Sequence, residues 1–363
     1  MKRSKIIKLS VCVILVMGLS ITFSAWAIPK EKEITISAGS AFKGDQLTSQ
    51  GTVYCLKEAG RRSGFKVELK EYWSGTLAKA PEDLTLLSKG GVDTYMLPVS
   101  YYKDRMPLWT IPNSLPLVTG DCFTSVSAMY EYAKWKPAQE ELRKNNLHFM
   151  FPGWYDCFIV MGKPIRSIAD LKGYKIRPFG LQAKSVAKLG GIPVTLSGGE
   201  IIDAMTKGTI DGGSFGLYNF GVAEHYDEVS QAYSFLNFGA IHPIIAMNLD
   251  KYNSLPEPYR KALDEVCMEM VHWYDKQYNK LVGDHLDGCR RKGKPMLIPF
   301  PKEDQLRVIE VGGKPVWDEI AQEYETKGLP GREAVLNWNK YIEIQGKKFK
   351  REQWPDWIKV TKK

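Results

Sequence analysis

The chain has 363 residues, 44% hydrophobic and 25% charged, with a formal net charge of +9. That is ordinary globular composition, which excludes a wholly disordered chain, a collagen-like repeat and a polytopic membrane protein. At roughly 100–200 residues per domain the length predicts two domains, and six cysteines are too few for a disulfide scaffold.

Lys2, Arg3, Lys5 and Lys8 make a basic start, and Leu9 to Ala27 carries no charge. Ala25-Trp26-Ala27 is a small-x-small cleavage pattern. Residues 1–27 therefore read as a secretory signal peptide, with the mature chain beginning at Ile28. The apolar core Leu9–Phe23 is 15 residues long, short of the ~20 needed to span a bilayer. That places cleavage ahead of an uncleaved membrane anchor. Loss of the four positive charges leaves a net charge of +5. Much of it sits in a basic C-terminal tail, residues 346–363, with seven Lys/Arg against two Asp/Glu. No zinc-finger spacing or aromatic ribonucleoprotein motif supports a nucleic-acid partner.

Five cysteines remain: Cys55, Cys122, Cys157, Cys267 and Cys289, without a C-x-x-C. An odd number leaves at least one thiol unpaired within the chain. Cys267 with Cys289 is the most plausible pair, and burial as free thiols is expected for the others.

Ile34-Thr35-Ile36-Ser37 alternates as a short strand, and a helix over about 46–62 follows it. Lys66 to Tyr72 alternates with period two, the mark of a half-buried strand. Pro81-Glu82-Asp83 opens a helix, because proline suits the first turn and acids there favour the dipole. It stops at Lys89-Gly90, and Val92 to Leu97 is the next strand. Such alternation is the grammar of an α/β domain.

A second, similar run begins after Phe158. Ser167 to Gly173 is about one helical turn with the start of a capping box. Tyr174 to Arg177 is a short strand ended by Pro178, and Gln182 to Leu189 a helix closing at Gly190-Gly191. Ser197-Gly198-Gly199-Glu200 forms a capping box with Leu196 and Ile201 as its staple, starting a helix that runs to Lys207. Leu87-Ser88-Lys89-Gly90-Gly91-Val92-Asp93 echoes Met205-Thr206-Lys207-Gly208-Thr209-Ile210-Asp211 at a spacing of 118 residues. The echo suggests two α/β lobes of similar plan, with a ligand cleft between them. From Glu257 to about Leu286, apolar residues recur at steps of three or four. A helix of that length is roughly 40 Å long, enough to brace both lobes.

The chain lacks G-x-G-x-x-G after a strand, a P-loop, H-E-x-x-H and G-x-S-x-G. Its five histidines have no metal-ligand spacing. Neither a cofactor nor a metal is expected, and a binding protein is favoured over an enzyme.

Ile165 to Arg177, which contains Asp-Leu-Lys-Gly-Tyr-Lys-Ile-Arg, and Glu200 to Gly212 resemble the DctP-type substrate-binding proteins of TRAP (tripartite ATP-independent periplasmic) transporters. Gln231-Ala232-Tyr233 and Asn248-Leu249-Asp250-Lys251 fit as well. The resemblance covers about residues 34–345. It implies an α/β fold of two lobes with the ligand cleft between them and a long helix spanning both. Lobe I would be 28–154 plus about 243–282, and lobe II 155–242 plus about 283–345. It also implies capture of a small organic acid for delivery to TRAP-type membrane permease subunits.

The family's carboxylate-pairing arginine corresponds here to Arg177. An arginine before proline at a strand end offers a planar fork that suits a carboxylate. Sialic-acid-type members carry a second arginine where this chain has Cys157. They carry Gln-Glu-Asn-Pro where it has Gly213-Ser214-Phe215-Gly216, and metal-dependent keto-acid binders have Glu-Trp there. The loss of a charge and an amide, with an aromatic kept, points to a smaller or more apolar monoacid. The candidate substrate-binding set is Arg177, Phe215, Asn219, Cys157, Trp154, Tyr155, Tyr72, Trp73, Phe179, Ser37 and Gly198. The alternatives are a hydrolase or lyase using Cys157 or a carboxylate on the same scaffold, and a membrane-tethered ligand sensor.

Overall fold

The computed structural model describes residues 32–78, 82–116, 121–156, 159–196 and 200–349. The candidate signal peptide, Cys157, Gly198 with its capping box, and the end of the basic tail lie outside these. Strand β1 (Lys32–Gly39) buries alternate residues Ile34, Ile36 and Ala38. It pairs in parallel along its whole length with β2 (Phe65–Tyr72), from Lys32 opposite Phe65 to Gly39 opposite Tyr72. The helix Leu47–Ser63 joins them and ends at Gly64, whose φ of +74° only glycine adopts cheaply. β2 is the sheet edge, which is why none of its residues is fully buried. β3 (Thr94–Leu97), on the other side of β1, is wholly buried.

Strand β4 (Leu147–Pro152) leaves this lobe through β5 (Tyr155–Asp156) and enters the other as β6 (Ile159–Gly162). The second lobe continues with β7 (Lys175–Arg177), β8 (Ile192–Pro193), β9 (Gly212–Phe215) and β10 (Ala232–Ser234). The chain returns through β11 (Ala240–Ile241) to β12 (Ile244–Asn248), and β13 (Met296–Ile298) follows the long helix. The sheet orders are β2-β1-β3-β12-β4 and β13-β10-β6-β9-β7-β8. β5 and β11 pair antiparallel with each other, so these two crossings between the lobes run side by side.

The long helix spans Glu257–Lys292, 36 residues, or about 54 Å at 1.5 Å per residue. It packs on the helix Leu47–Ser63 in the first lobe and leads into β13 of the second sheet. The helix outlasts the sequence expectation because Arg290-Arg291-Lys292 suit its negative end and Gly293 closes it at φ +65°. Among the described residues no helix is long and apolar enough to cross a membrane.

Two expectations change. Cys267 and Cys289 lie 22 positions apart on this one helix, about 33 Å of axial rise, and cannot pair. The Cys267 Sγ instead lies 3.2 Å from Cys55 Sγ, and Cys289 Sγ lies 3.6 Å from His285 Nε2. The C-terminal helices Lys314–Glu325 and Gly331–Lys348, expected with the second lobe, bury Ile320, Tyr324 and Trp338 in one core with Tyr95, Trp109 and Tyr132 of the first. The first of them, Lys314–Glu325, also holds the second lobe's helix Gln182–Lys188, through Lys184–Glu323 and Lys188–Glu319 pairs. It therefore bridges the lobes.

Candidate functional site

The internal echo is a real structural repeat. Gly90 and Gly208 both end helices in the left-handed region, at φ +73° and +71°. Each helix is followed by an aspartate that fastens the neighbouring parallel strand. Asp93 accepts from the Ser37 backbone N–H at 2.8 Å, and Asp211 from the Lys175 N–H at 2.9 Å. Each aspartate also meets a lysine, Lys251 at 3.3 Å and Lys163 at 2.6 Å. Ser37 and Lys175 are thus equivalent positions, and the Ser37 hydroxyl is taken up by Asp93 at 3.0 Å.

Two residues further on, the lobes diverge. Gly39 ends β1 beside Tyr95, while Arg177 ends β7 beside Gly213. A Cβ on Gly39 would lie 2.7 Å from the Tyr95 ring; a Cβ on Gly213 would lie 2.0 Å from Phe215 Cζ. Each sheet edge therefore sets a glycine against a large ring, and only the second adds a cation.

Arg177 is 5% exposed. Its Nε and Nη2 both donate to the Leu196 carbonyl at 3.3 Å, which fixes the plane of the fork. Its Cζ lies 3.8 Å from the centre of the Phe179 ring, a cation–π stack. Phe179 sits edge-on to Phe215 at 6.5 Å, and Phe220 stands 4.8 Å from Phe215 and 5.8 Å from Phe179. Tyr226 closes the group edge-on to Phe215 at 5.3 Å. Burial pushes the Tyr226 hydroxyl up to about 12, with Arg177 pulling the other way, so it stays neutral. One cation and an apolar aromatic wall thus meet at the C-terminal end of parallel strands, where α/β sheets place ligands.

Phe179 also packs on Tyr155 and Ile241, the paired crossing strands. Tyr155 Oη lies 3.2 Å from Thr48 Oγ1 in the first lobe, with its ring edge-on to Phe42 at 6.1 Å. The Asn219 side chain lies near Tyr155 and donates to Gln46 Oε1 at 3.4 Å. Gln46 and Lys43 both reach Glu224 at 3.4 Å, and the Leu47 N–H donates to Tyr218 Oη at 2.9 Å. These contacts join the loop before helix Leu47–Ser63 to the segment Leu217–Ala223 across the cleft.

Of the residues proposed from sequence, Arg177, Phe179 and Phe215 form one cluster, and Tyr155 and Asn219 adjoin it at the crossing. Trp154 is an interior ring edge-on to Tyr278 of the long helix. Trp73 donates to Glu71 at 2.9 Å and lies over Gly44, while Tyr72 is a half-buried strand end whose carbonyl accepts from Ser40. Ser37 belongs to the aspartate anchor. Phe220, Tyr226, Gln46 and Thr48 were missed. The signal for the first two was the run Leu217–Tyr226 immediately after a buried parallel strand. Gln46 and Thr48 had only their place at a helix start.

The family model for bacterial extracellular solute-binding protein family 7, DctP, matches residues 39–324. The chain belongs to the DctP family. A monocarboxylate 2-oxoacid-binding periplasmic protein of Nostoc sp. is 23% identical over 314 residues, 80% of this DctP chain and 79% of its own. A marine metagenome TRAP solute-binding protein described as specific for aromatic acid ligands, solved with metahydroxyphenylacetate, shares the fold. Its TM-score is 0.76 at 18% identity, over 86% of this chain and 99% of that one. A Rhodoferax ferrireducens TRAP solute-binding protein with copurified benzoate gives 0.75 at 19%, over 87% and 99%. Among the described residues of this DctP protein, no group of three His, Cys, Asp or Glu side chains could hold a metal ion.

Proposed function

We propose that this solute receptor takes up a small monocarboxylate with an apolar, aromatic body. We further propose that it works in the periplasm after loss of its signal peptide and hands its ligand to a TRAP-type membrane permease. The observation that carries this reading is the buried Arg177 fork stacked on Phe179 and walled by Phe215, Phe220 and Tyr226. The fork would meet the carboxylate in paired charge-assisted hydrogen bonds, each contributing about 1.5–3 kcal/mol. The rings would take the ligand body edge-on or offset, and Tyr155 and Asn219 would read it from the crossing side. The aromatic acids seen with relatives, and the 2-oxoacids of the Nostoc protein, support a monoacid.

Titration calorimetry with benzoate, 3-hydroxybenzoate, pyruvate and glucuronate tests the reading. One-to-one binding of an aromatic acid, with glucuronate much weaker, is expected. Glucuronate bound in preference to benzoate, 3-hydroxybenzoate and pyruvate would overturn the aromatic wall as the ligand's seat.

A further inference from the structure

The helix Leu47–Ser63 lies against the first half of the long helix, and Cys55 of the one and Cys267 of the other enter the core they share. Cys55 is 0% and Cys267 3% exposed, with Sγ atoms 3.2 Å apart. A disulfide bond is ~2.05 Å long, so the sulfurs need approach by only about 1.1 Å, within reach of small side-chain rotations. The pair lies in one apolar core with Leu56, Ala59, Tyr259, Leu263 and Val266, and the phenols of that core near it are engaged: Tyr259 donates to the Leu56 carbonyl and Tyr130 to the Cys267 carbonyl. The thiols have each other as partner.

We propose that Cys55 and Cys267 are joined as a disulfide in the mature protein. The inference rests on the periplasmic reading above. The bond forms by exchange with a protein disulfide of the oxidising compartment. One cysteine thiolate attacks a sulfur of that disulfide, the second displaces the mixed bond, and the oxidant leaves as a dithiol carrying the two electrons and two protons. Burial drives the Cys267 thiol far above its usual range, so exchange takes place while the chain folds, before the two helices close over the pair. The cysteines are 212 positions apart, so the link encloses strands β6 to β10, all of the second sheet except β13, in one covalent loop. Both ends sit in the first lobe, which leaves the crossings at β5 and β11 free to bend.

The test isolates the full chain after export, alkylates it without reductant in denaturant, and maps its peptides. A second sample is reduced, unfolded and refolded in a glutathione redox buffer. A Cys55–Cys267 linked peptide is expected in both, with Cys122, Cys157 and Cys289 alkylated. The oxidised protein should also unfold at a higher temperature than the reduced protein. That difference should vanish in a Cys55→Ala, Cys267→Ala double variant. N-terminal sequencing reports export separately. Processed protein with both thiols alkylated overturns the disulfide, as does a bond from either cysteine to another. An unprocessed, reduced chain whose refolded sample still carries the link upholds the pair and overturns the periplasmic reading instead.

Discussion

On the proposed reading, Arg177 is the residue on which recognition turns. Replacement by lysine keeps the charge and loses the planar fork and its stack on Phe179. Replacement by alanine loses both. With benzoate as the titrant, calorimetry should show roughly tenfold weaker binding for Arg177→Lys and 100-fold or more for Arg177→Ala, about 1.4 and 2.7 kcal/mol. At the return crossing, the wholly buried His242 imidazole is held by the Pro112 carbonyl at 2.6 Å from Nδ1 and edge-on to Trp338 at 5.1 Å. Burial pulls it down to about 3. The unfolded chain takes up this proton below pH ~6.5 and the folded chain resists, so the His242 contribution is full above that pH. It falls by about 1.4 kcal/mol per unit as pH drops towards 3. Glu141 runs the other way. Burial pushes it up to about 7 despite the Leu108 and Trp109 N–H groups, so its contribution is full below pH ~4.5 and is lost as pH rises through 7. Urea unfolding at pH 7.5 and 5 should therefore show the parent losing about 2 kcal/mol more than His242→Asn, the difference isolating the imidazole from Glu141.

At the scale of elements, the site depends on β9 carrying Gly213 so that Phe215 can fold back beside Arg177. A Cβ at Gly213 would sit 2.0 Å from the Phe215 ring and force it aside. Gly213→Ala should cost about 1–3 kcal/mol of stability by overpacking and weaken benzoate binding further, measured by thermal unfolding and calorimetry on the same samples. The strand and helix runs that open each lobe were legible because each of those elements carries its own signal. Period-two alternation marked β1 and β2, and the Lys-Gly helix stops marked the strands that follow. The Ser37 role was not legible. Its partner Asp93 is 56 positions away, and only the register of β1 against β3 brings them together. Phe220 and Tyr226 escaped for the same reason: they are read as site residues only once β9 lies beside β7.

At the scale of the whole molecule, paired crossings and one continuous helix allow the lobes to bend about β5 and β11. Ligand should favour the closed form, and small-angle scattering should show a smaller radius of gyration with saturating benzoate. An unchanged radius would mean a rigid unit. The cross-cleft pair Lys43–Glu224 is half exposed, with side chains 56% and 33% accessible. It should be worth no more than about 1 kcal/mol. Glu224→Gln should accordingly weaken binding by less than about fivefold, while raising the unliganded radius of gyration if the pair helps hold the lobes together.

The sequence by itself determined the α/β alternation, the two-lobe echo, the long helix and the Asp-Leu-Lys-Gly-Tyr-Lys-Ile-Arg stretch that ends at Arg177. All are written in neighbours a few residues apart, through side-chain period, caps and glycine stops. Tertiary structure alone decided which side chains meet. The aromatic wall around Arg177, the Gln46–Asn219–Tyr155 junction and the Cys55–Cys267 contact join residues from separate elements. So does the seating of the C-terminal helices on the first lobe's core. Periodicity shows that a face is buried, but not which face of which other element it is buried against. That depends on how the whole set of apolar faces packs at once.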